Sequence, residues 1–280
     1  LGLMGGSLSA ALSGSCAALK GYDQDPATRA RALETGWFDS IAVNLSEAIQ
    51  DADLLILAVP VRSILEILER IGDDLPAPRS VMDLGSTKVQ IAEVMEKLPE
   101  HVDALPAHPM CGREVSGIAS ADPQLYHGCR FVLCPLEHTS SRILHMAHEI
   151  TALLQAVPLE MPPGLHDSLT ALTSHLPYLL ASTLVHTASQ QGAGKPVWDL
   201  AASGFRDTSR VAAGSLPMMI DILLTNKAPV LEALEGSRAF LEQLADAVEN
   251  QDALQLEALL DPLRQIRSGL FIQNQEGDTP

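Results

Sequence analysis

Residues 1–14 read LGLMGGSLSAALSG, a glycine-rich turn running straight into an alanine-rich helical pattern. Gly2, Gly5 and Gly6 fit the second half of a G-x-G-x-x-G turn whose first glycine would lie one residue before Leu1. In such a turn one glycine makes the bend, the next lets the backbone approach a pyrophosphate, and the third lets helix pack on strand. Backbone N–H groups at the helix start then face the phosphates, helped by the helix dipole. That makes Gly2, Leu3, Met4 and Gly5 candidate cofactor-binding residues. A glycine-rich terminal tail is the competing reading of the same letters.

Asp23 favours the first reading. It lies 18 residues after Gly5, at the end of the next strand pattern, "AALKGYD". An acidic side chain there accepts hydrogen bonds from both ribose hydroxyls of NAD, whereas a 2′-phosphate would meet like charge. The expected cofactor is therefore NAD rather than NADP, with Arg29 and Arg31 close enough to soften the preference. A turn of this kind normally follows a buried strand, the central one of a doubly wound sheet. Removing that strand would cost more than the stability of a typical domain. The natural chain is thus expected to extend upstream of Leu1 by one strand of about six residues.

Downstream, short apolar runs alternate with helical patterns as far as about Pro162. "PATRARALETG" reads as a helix stopped by Gly36. "ADLLILAVPV" is a continuous apolar run, as in a strand covered on both faces. "SILEILERIGDDL" and "TKVQIAEVMEKL" read as helices, "SVMDLGS" as a strand, and "VDALPAHPM" as a strand with its exit loop. "CRFVLCP" and "VPLEMP" read as strands on either side of the helix "SSRILHMAHEITALLQA". Alternation at this spacing predicts an α/β fold, a doubly wound Rossmann-type parallel sheet. From His166 to about Arg267 the pattern is nearly all helical, with a kink expected at Pro177. The domain reading is therefore a dinucleotide-binding domain at residues 1–163, its first strand upstream, and an all-helical substrate and dimerisation domain at 164–280. Apolar runs in the helical part, such as Val230 to Leu244, favour a homodimer.

The 280 residues carry a net charge of −17, with 46 % hydrophobic and 19 % charged residues. Such acidity argues against a nucleic-acid partner, and no apolar run reaches membrane-spanning length. Cys16, Cys111, Cys129 and Cys134 include no C-x-x-C pair and read as free thiols in a cytoplasmic protein. His145 and His148 in "HMAH" have a spacing that could bind metal, but no third ligand is evident, so no metal is expected.

Four stretches remain that look chemical: "DLGSTK", "AHPMCG", "TSHLPY" and "SGFRDTSR". The first two follow strands, and strand exits line the ligand crevice of a doubly wound sheet; Val59 and Pro60, at the exit of "ADLLILAVPV", join the cofactor set on the same ground. With "GLMGGSL" and "GYDQDP" in front, these blocks occur in an order that resembles the prephenate and arogenate dehydrogenases of tyrosine biosynthesis, over essentially the whole chain. That resemblance implies NAD-dependent oxidative decarboxylation of prephenate, or of arogenate, in which hydride leaves the hydroxyl-bearing ring carbon as the ring carboxylate departs as CO₂.

The resemblance also implies roles for individual residues. His108 is the catalytic acceptor of the hydroxyl proton. Ser86 hydrogen-bonds near the hydroxyl, the histidine and the nicotinamide, or caps the helix that follows it, or both. Arg210 binds a substrate carboxylate. His175 faces the cleft from the second domain. Tyr178 stands where many prephenate-type members carry a second histidine and some arogenate-type members an apolar residue, which leaves the choice of substrate open. Arg206 and Asp207 are expected to be an internal support pair, and Cys111 a packing thiol. Two other readings remain. One is a hydroxyacid reductase of similar architecture, which would need a catalytic lysine in the helical part, where only Lys195 and Lys227 stand. The other is a catalytically silent NAD-binding dimer.

Overall fold

The structure is a computed structural model that describes residues 1–72, 74–113 and 115–270. Its elements are, in order, α1 (Leu3–Leu12), β1 (Lys20–Gly21), α2 (Pro26–Thr35), β2 (Ser40–Ile41), α3 (Leu45–Ile49), β3 (Leu55–Leu57), α4 (Val61–Arg70), β4 (Ser80–Asp83), α5 (Val89–Met95), β5 (Asp103–Leu105), β6 (Ala107–Pro109), β7 (Arg130–Leu133), α6 (Ser141–Leu153) and β8 (Val157–Glu160). Helices α7 (Pro163–Thr170), α8 (Leu176–Gln191), α9 (Ser203–Ser209), α10 (Leu216–Thr225), α11 (Lys227–Glu249) and α12 (Ala253–Gly269) follow. The chain forms two compact units, Leu1–Val230 and Leu231–Pro280.

Local chemistry explains the helix boundaries. Asp25 caps α2 by accepting from the Ala27 and Thr28 N–H groups, Pro26 supplies a preset first turn, and Gly36 ends the helix in the left-handed region at φ +70°. Asn44 and Ser140 cap α3 and α6 in the same way. On α4 the buried residues are Val61, Ile64 and Leu68, spaced so that one face meets the core. Pro177 falls in the first turn of α8, preceded by one wide π turn at Ala171–His175. The kink expected from Pro177 thus takes the form of a widened turn, which accommodates the proline's missing N–H.

Strands β3, β4 and β5 pair in parallel in that order, and β1 pairs with β2 in parallel. β7 and β8 are also parallel, but β6 runs antiparallel to β7. The run "VDALPAHPM" is therefore two strands rather than one with an exit loop. Pro106 has no N–H to continue the ladder of β5. The chain turns there, the Cys134 N–H donating to Pro106 O at 2.9 Å, and β6 joins a second sheet. The apolar core around these strands includes Leu3, Met82, Leu105, Phe131, Leu133 and Ile143. The second unit holds most of α11 and all of α12, where Leu254 and Ile266 are 79 % and 61 % exposed.

Candidate active site

His108 lies in the middle of β6, opposite Val132 of β7. Beneath it is a buried ion pair. Asp83, the last residue of β4, and Lys88, just before α5, are both fully buried and bonded to each other. Lys88 Nζ also donates to Ala107 O at 2.7 Å, and the Ala107 N–H donates to Asp83 Oδ1 at 3.1 Å. The pair thereby clamps the residue before His108 from both sides. Gly85 N–H donates to Asp83 Oδ2 at 2.7 Å, and a Cβ on Gly85 would lie 2.9 Å from that oxygen and from Ile64 and Ile91. Only glycine fits that approach. Burial pushes the Asp83 carboxyl above its ordinary value despite the adjacent ammonium.

Helix α7 brings a second carboxylate to the same place. Asp167 accepts the Lys88 N–H at 2.7 Å and the Val89 N–H at 2.9 Å, so it caps α5 from a residue 79 positions away. Ser86 does not cap that helix, contrary to one of its two expected roles. It sits partly buried in the turn between Gly85 and Thr87.

Asp167 Oδ1 also lies 2.8 Å from His166 Nδ1, and His166 Nε2 lies 2.8 Å from His108 Nδ1. An ionised carboxylate only accepts, so the His166 proton is on Nδ1 and its Nε2 accepts from His108 Nδ1–H. That leaves the lone pair of His108 on Nε2. Burial, with His166, Lys88 and His175 nearby, holds His108 well below the usual histidine value, so it is neutral at pH 7. His175 is buried and accepts from Asn226 Nδ2 at 3.2 Å; burial lowers it to about 4. Asn226 donates to Asp167 O at 2.8 Å as well, which ties His175 to the same network.

The structure therefore gathers His108 and His175 with three residues that motif reading missed, His166, Asp167 and Asn226. His166 and Asp167 are adjacent in sequence, but their partners are 58 and 79 residues distant, and a dipeptide in a helix carries no motif. Tyr178 is partly buried on the first turn of α8, and Arg210 is exposed at the start of a tight turn, Arg210–Ala213, that packs along α8. Arg206 and Asp207 bond each other at 3.3 Å but are 76 % and 72 % exposed. They are a solvent pair, because α9 buries none of its residues, and the expectation of an internal pair fails. His145 and His148 pair with surface glutamates, Glu149 at 3.3 Å and Glu160 at 2.9 Å. Among the described residues no group of three or more histidine, cysteine or acidic side chains is placed to hold a metal ion.

The opening turn fits a dinucleotide. Gly2 is the N-cap of α1, which has no side-chain cap, so its first N–H groups are open to a ligand. A Cβ on Gly2 would meet nothing within 4 Å, whereas one on Gly5 would lie 3.1 Å from Ala58 at the exit of β3. The first glycine leaves room for phosphate and the second lets helix approach strand, a division of labour this turn requires. Leu3 and Met4 follow in the first turn of α1, and Tyr126 Oη donates to Met4 O at 2.7 Å. Asp23 stands just after β1, its Oδ1 accepting the Asp25 N–H at 2.9 Å. Val59 and Pro60 follow β3, and Pro60 is the N-cap of α4.

A phosphate-ready helix start with an acidic residue after the next strand, set beside a histidine network, defines a nicotinamide-nucleotide dehydrogenase with a helical partner domain. The chain matches the family "Prephenate dehydrogenase, nucleotide-binding domain" over residues 8–159 and "Prephenate dehydrogenase, dimerization domain" over residues 162–262. It belongs to the prephenate dehydrogenase family. It is 30 % identical to the prephenate dehydrogenase of Bacillus subtilis (strain 168), an alignment covering 100 % of this chain and 76 % of that protein. It superposes with a TM-score of 0.86 and 28 % identity on prephenate dehydrogenase from A. aeolicus in complex with hydroxyphenyl propionate and NAD+, covering 99 % of this chain and 96 % of that one. Against Synechocystis arogenate dehydrogenase the TM-score is 0.82 and the identity 30 %, covering 96 % of each chain. Among the described residues no helix is long and apolar enough to cross a membrane.

Proposed function

We propose that the chain catalyses NAD-dependent oxidative decarboxylation of prephenate or arogenate. The observation that carries this reading is the line Asp167–His166–His108, which leaves His108 Nε2 as a neutral proton acceptor. Its chemistry suits a ring hydroxyl that must lose a proton as the carbon beneath it becomes phenolic. The competing hydroxyacid reductase needs a buried lysine among the helices, and Lys195 and Lys227 are both exposed. A silent sensor would have no use for a tautomer held by two successive hydrogen bonds.

When bound, NAD supplies the acceptor for the hydride leaving the hydroxyl-bearing ring carbon. The backbone of Gly2, Leu3, Met4 and Gly5 holds its phosphates, Asp23 its ribose hydroxyls, and Val59 and Pro60 line the strand exit beside it. His108 Nε2 takes the hydroxyl proton. His166 and Asp167 orient the ring and fix its tautomer; they are positioning residues. Ser86 hydrogen-bonds the same hydroxyl. His175 stays neutral and presents a donor to the cleft, because its Nδ1 is used by Asn226. Tyr178 meets the substrate side chain, and Arg210 binds a carboxylate through its planar guanidinium.

The direct test is NADH formation with prephenate and arogenate offered separately, each with NAD and with NADP. Turnover of one of them with NAD is expected. Inertness toward both, with NAD still bound, overturns the reading. Arg210→Ala should raise KM for the substrate at little cost in kcat, since the carboxylate contact is made in ground and transition states alike; an unmoved KM assigns the anion to another cation.

We also propose a cytoplasmic homodimer through the helical part, with the domain boundary near residue 163. The match to a dimerisation domain and the exposed leucines of α10 and α12 support it. Sedimentation equilibrium should return twice the chain mass, and a monomer at micromolar concentration would sink the proposal.

A further inference from the structure

We infer that Cys111 and Cys129 form a reversible disulfide site that closes across the two strands at His108 and slows turnover when a peroxide oxidises it. The register of β6 and β7 places them. Ala107 faces Leu133, His108 faces Val132 and Pro109 faces Phe131. The pairing continues one step, with the Met110 N–H donating to Arg130 O at 2.7 Å. The strand bends there, the Cys111 N–H donating back to Pro109 O at 2.8 Å, so Cys111 and Cys129 lie just beyond the facing ends of β6 and β7, with their thiols close enough to interact. A disulfide spans Cα separations of roughly 4.4–6.8 Å.

The thiols are set up unequally. Both are partly buried, not sealed off. The interaction between them pushes the Cys111 thiol up and draws the Cys129 thiol down. Thiolate character therefore gathers on Cys129, the nucleophile, while Cys111 keeps the proton. The Cys129 thiolate attacks one peroxide oxygen, the O–O bond breaks, and the departing hydroxide takes a proton to become water. Cys111 sulfur then attacks the resulting sulfenic sulfur; the S–O bond breaks and the hydroxyl leaves as a second water with the Cys111 proton. Two thiols lose two electrons and the peroxide gains them. Neither other cysteine suits the part: Cys134 is fully buried, with its thiol pushed up to about 12, and Cys16 is exposed on a different segment, after α1.

The position couples the bond to the site. Cys111 is three residues beyond His108, and Tyr126, whose hydroxyl donates to Met4 O of the glycine turn, lies close to both thiols. Closing the S–S bond draws the bend at Met110–Cys111 toward β7 and moves the end of the strand that aims His108.

The test oxidises the full chain with one equivalent of hydrogen peroxide, alkylates the remaining thiols and digests with trypsin. Peptide 98–113 should appear linked to peptide 114–130, with a thiol reductant separating them. Turnover should fall with linkage and recover on reduction, and Cys129→Ser should show neither change. Two unlinked, fully alkylated peptides overturn the site. Linkage without change in turnover overturns its coupling to His108. The peptide readout needs no substrate, so it stands or falls apart from the assignment of prephenate or arogenate.

Discussion

Replacing His108 with asparagine lowers kcat about 10²- to 10⁴-fold while NAD binding persists, because the lost group acts on a proton in the transition state. Asparagine keeps a donor toward His166 but offers no basic nitrogen to the substrate. The pH profile separates this role from mere packing. With His108 held below its ordinary value, the wild-type acid limb lies below pH 6.5, and activity falls as pH drops through it. Burial is the main cause of that lowering, while His166→Gln breaks the line from Asp167 that fixes the His108 proton on Nδ1 and should lower kcat. A His108 that only filled space would leave no such limb in the profile. Unchanged kcat in His108→Asn would remove the residue from the reaction.

The parts of this fold visible in sequence are those whose causes are local. Asp25-Pro26 with Gly36 ten residues on, the apolar stripe of α4 and the glycine turn each carry their reason within a few residues. Pro177 was legible as a disturbance, though not as the π turn that precedes it. What stayed hidden depends on distant partners. The antiparallel β6 follows from Pro106 ending one ladder and the Cys134 N–H taking up its carbonyl, a pairing no periodicity announces. Capping of α5 came from Asp167 and not from Ser86, since the winning carboxylate arrives on another helix. His108 and His175 were readable only through their motifs, and the residues that set their protonation, His166 and Asn226, had none. Arg206 and Asp207 sat inside a motif and still proved to be at the surface.

Lys88→Met should destabilise the protein by about 3–5 kcal/mol, the usual cost of removing one member of a buried ion pair. The reason is specific to Asp83. Its carboxylate is fully buried, already pushed above its ordinary value by burial, and held ionised against that pressure by Lys88. Without the ammonium it must either remain an uncompensated charge or take up a proton, and Gly85 N–H and Ala107 N–H both aim donors at its oxygens. A protonated carboxyl satisfies them less well. The double variant Asp83→Asn/Lys88→Met removes the charge along with its partner and keeps an acceptor for one of those N–H groups. It should therefore be more stable than Lys88→Met alone, although it carries one more substitution. Thermal or urea unfolding of the two variants decides the matter. A double variant less stable than the single would mean that the pair contributes by its hydrogen bonds alone and that no charge penalty is released. In both variants Ala107 O loses its donor, so β6 is less firmly held beside His108. Turnover should fall even in molecules that stay folded, with little change in NAD affinity, since the glycine turn lies on a different element.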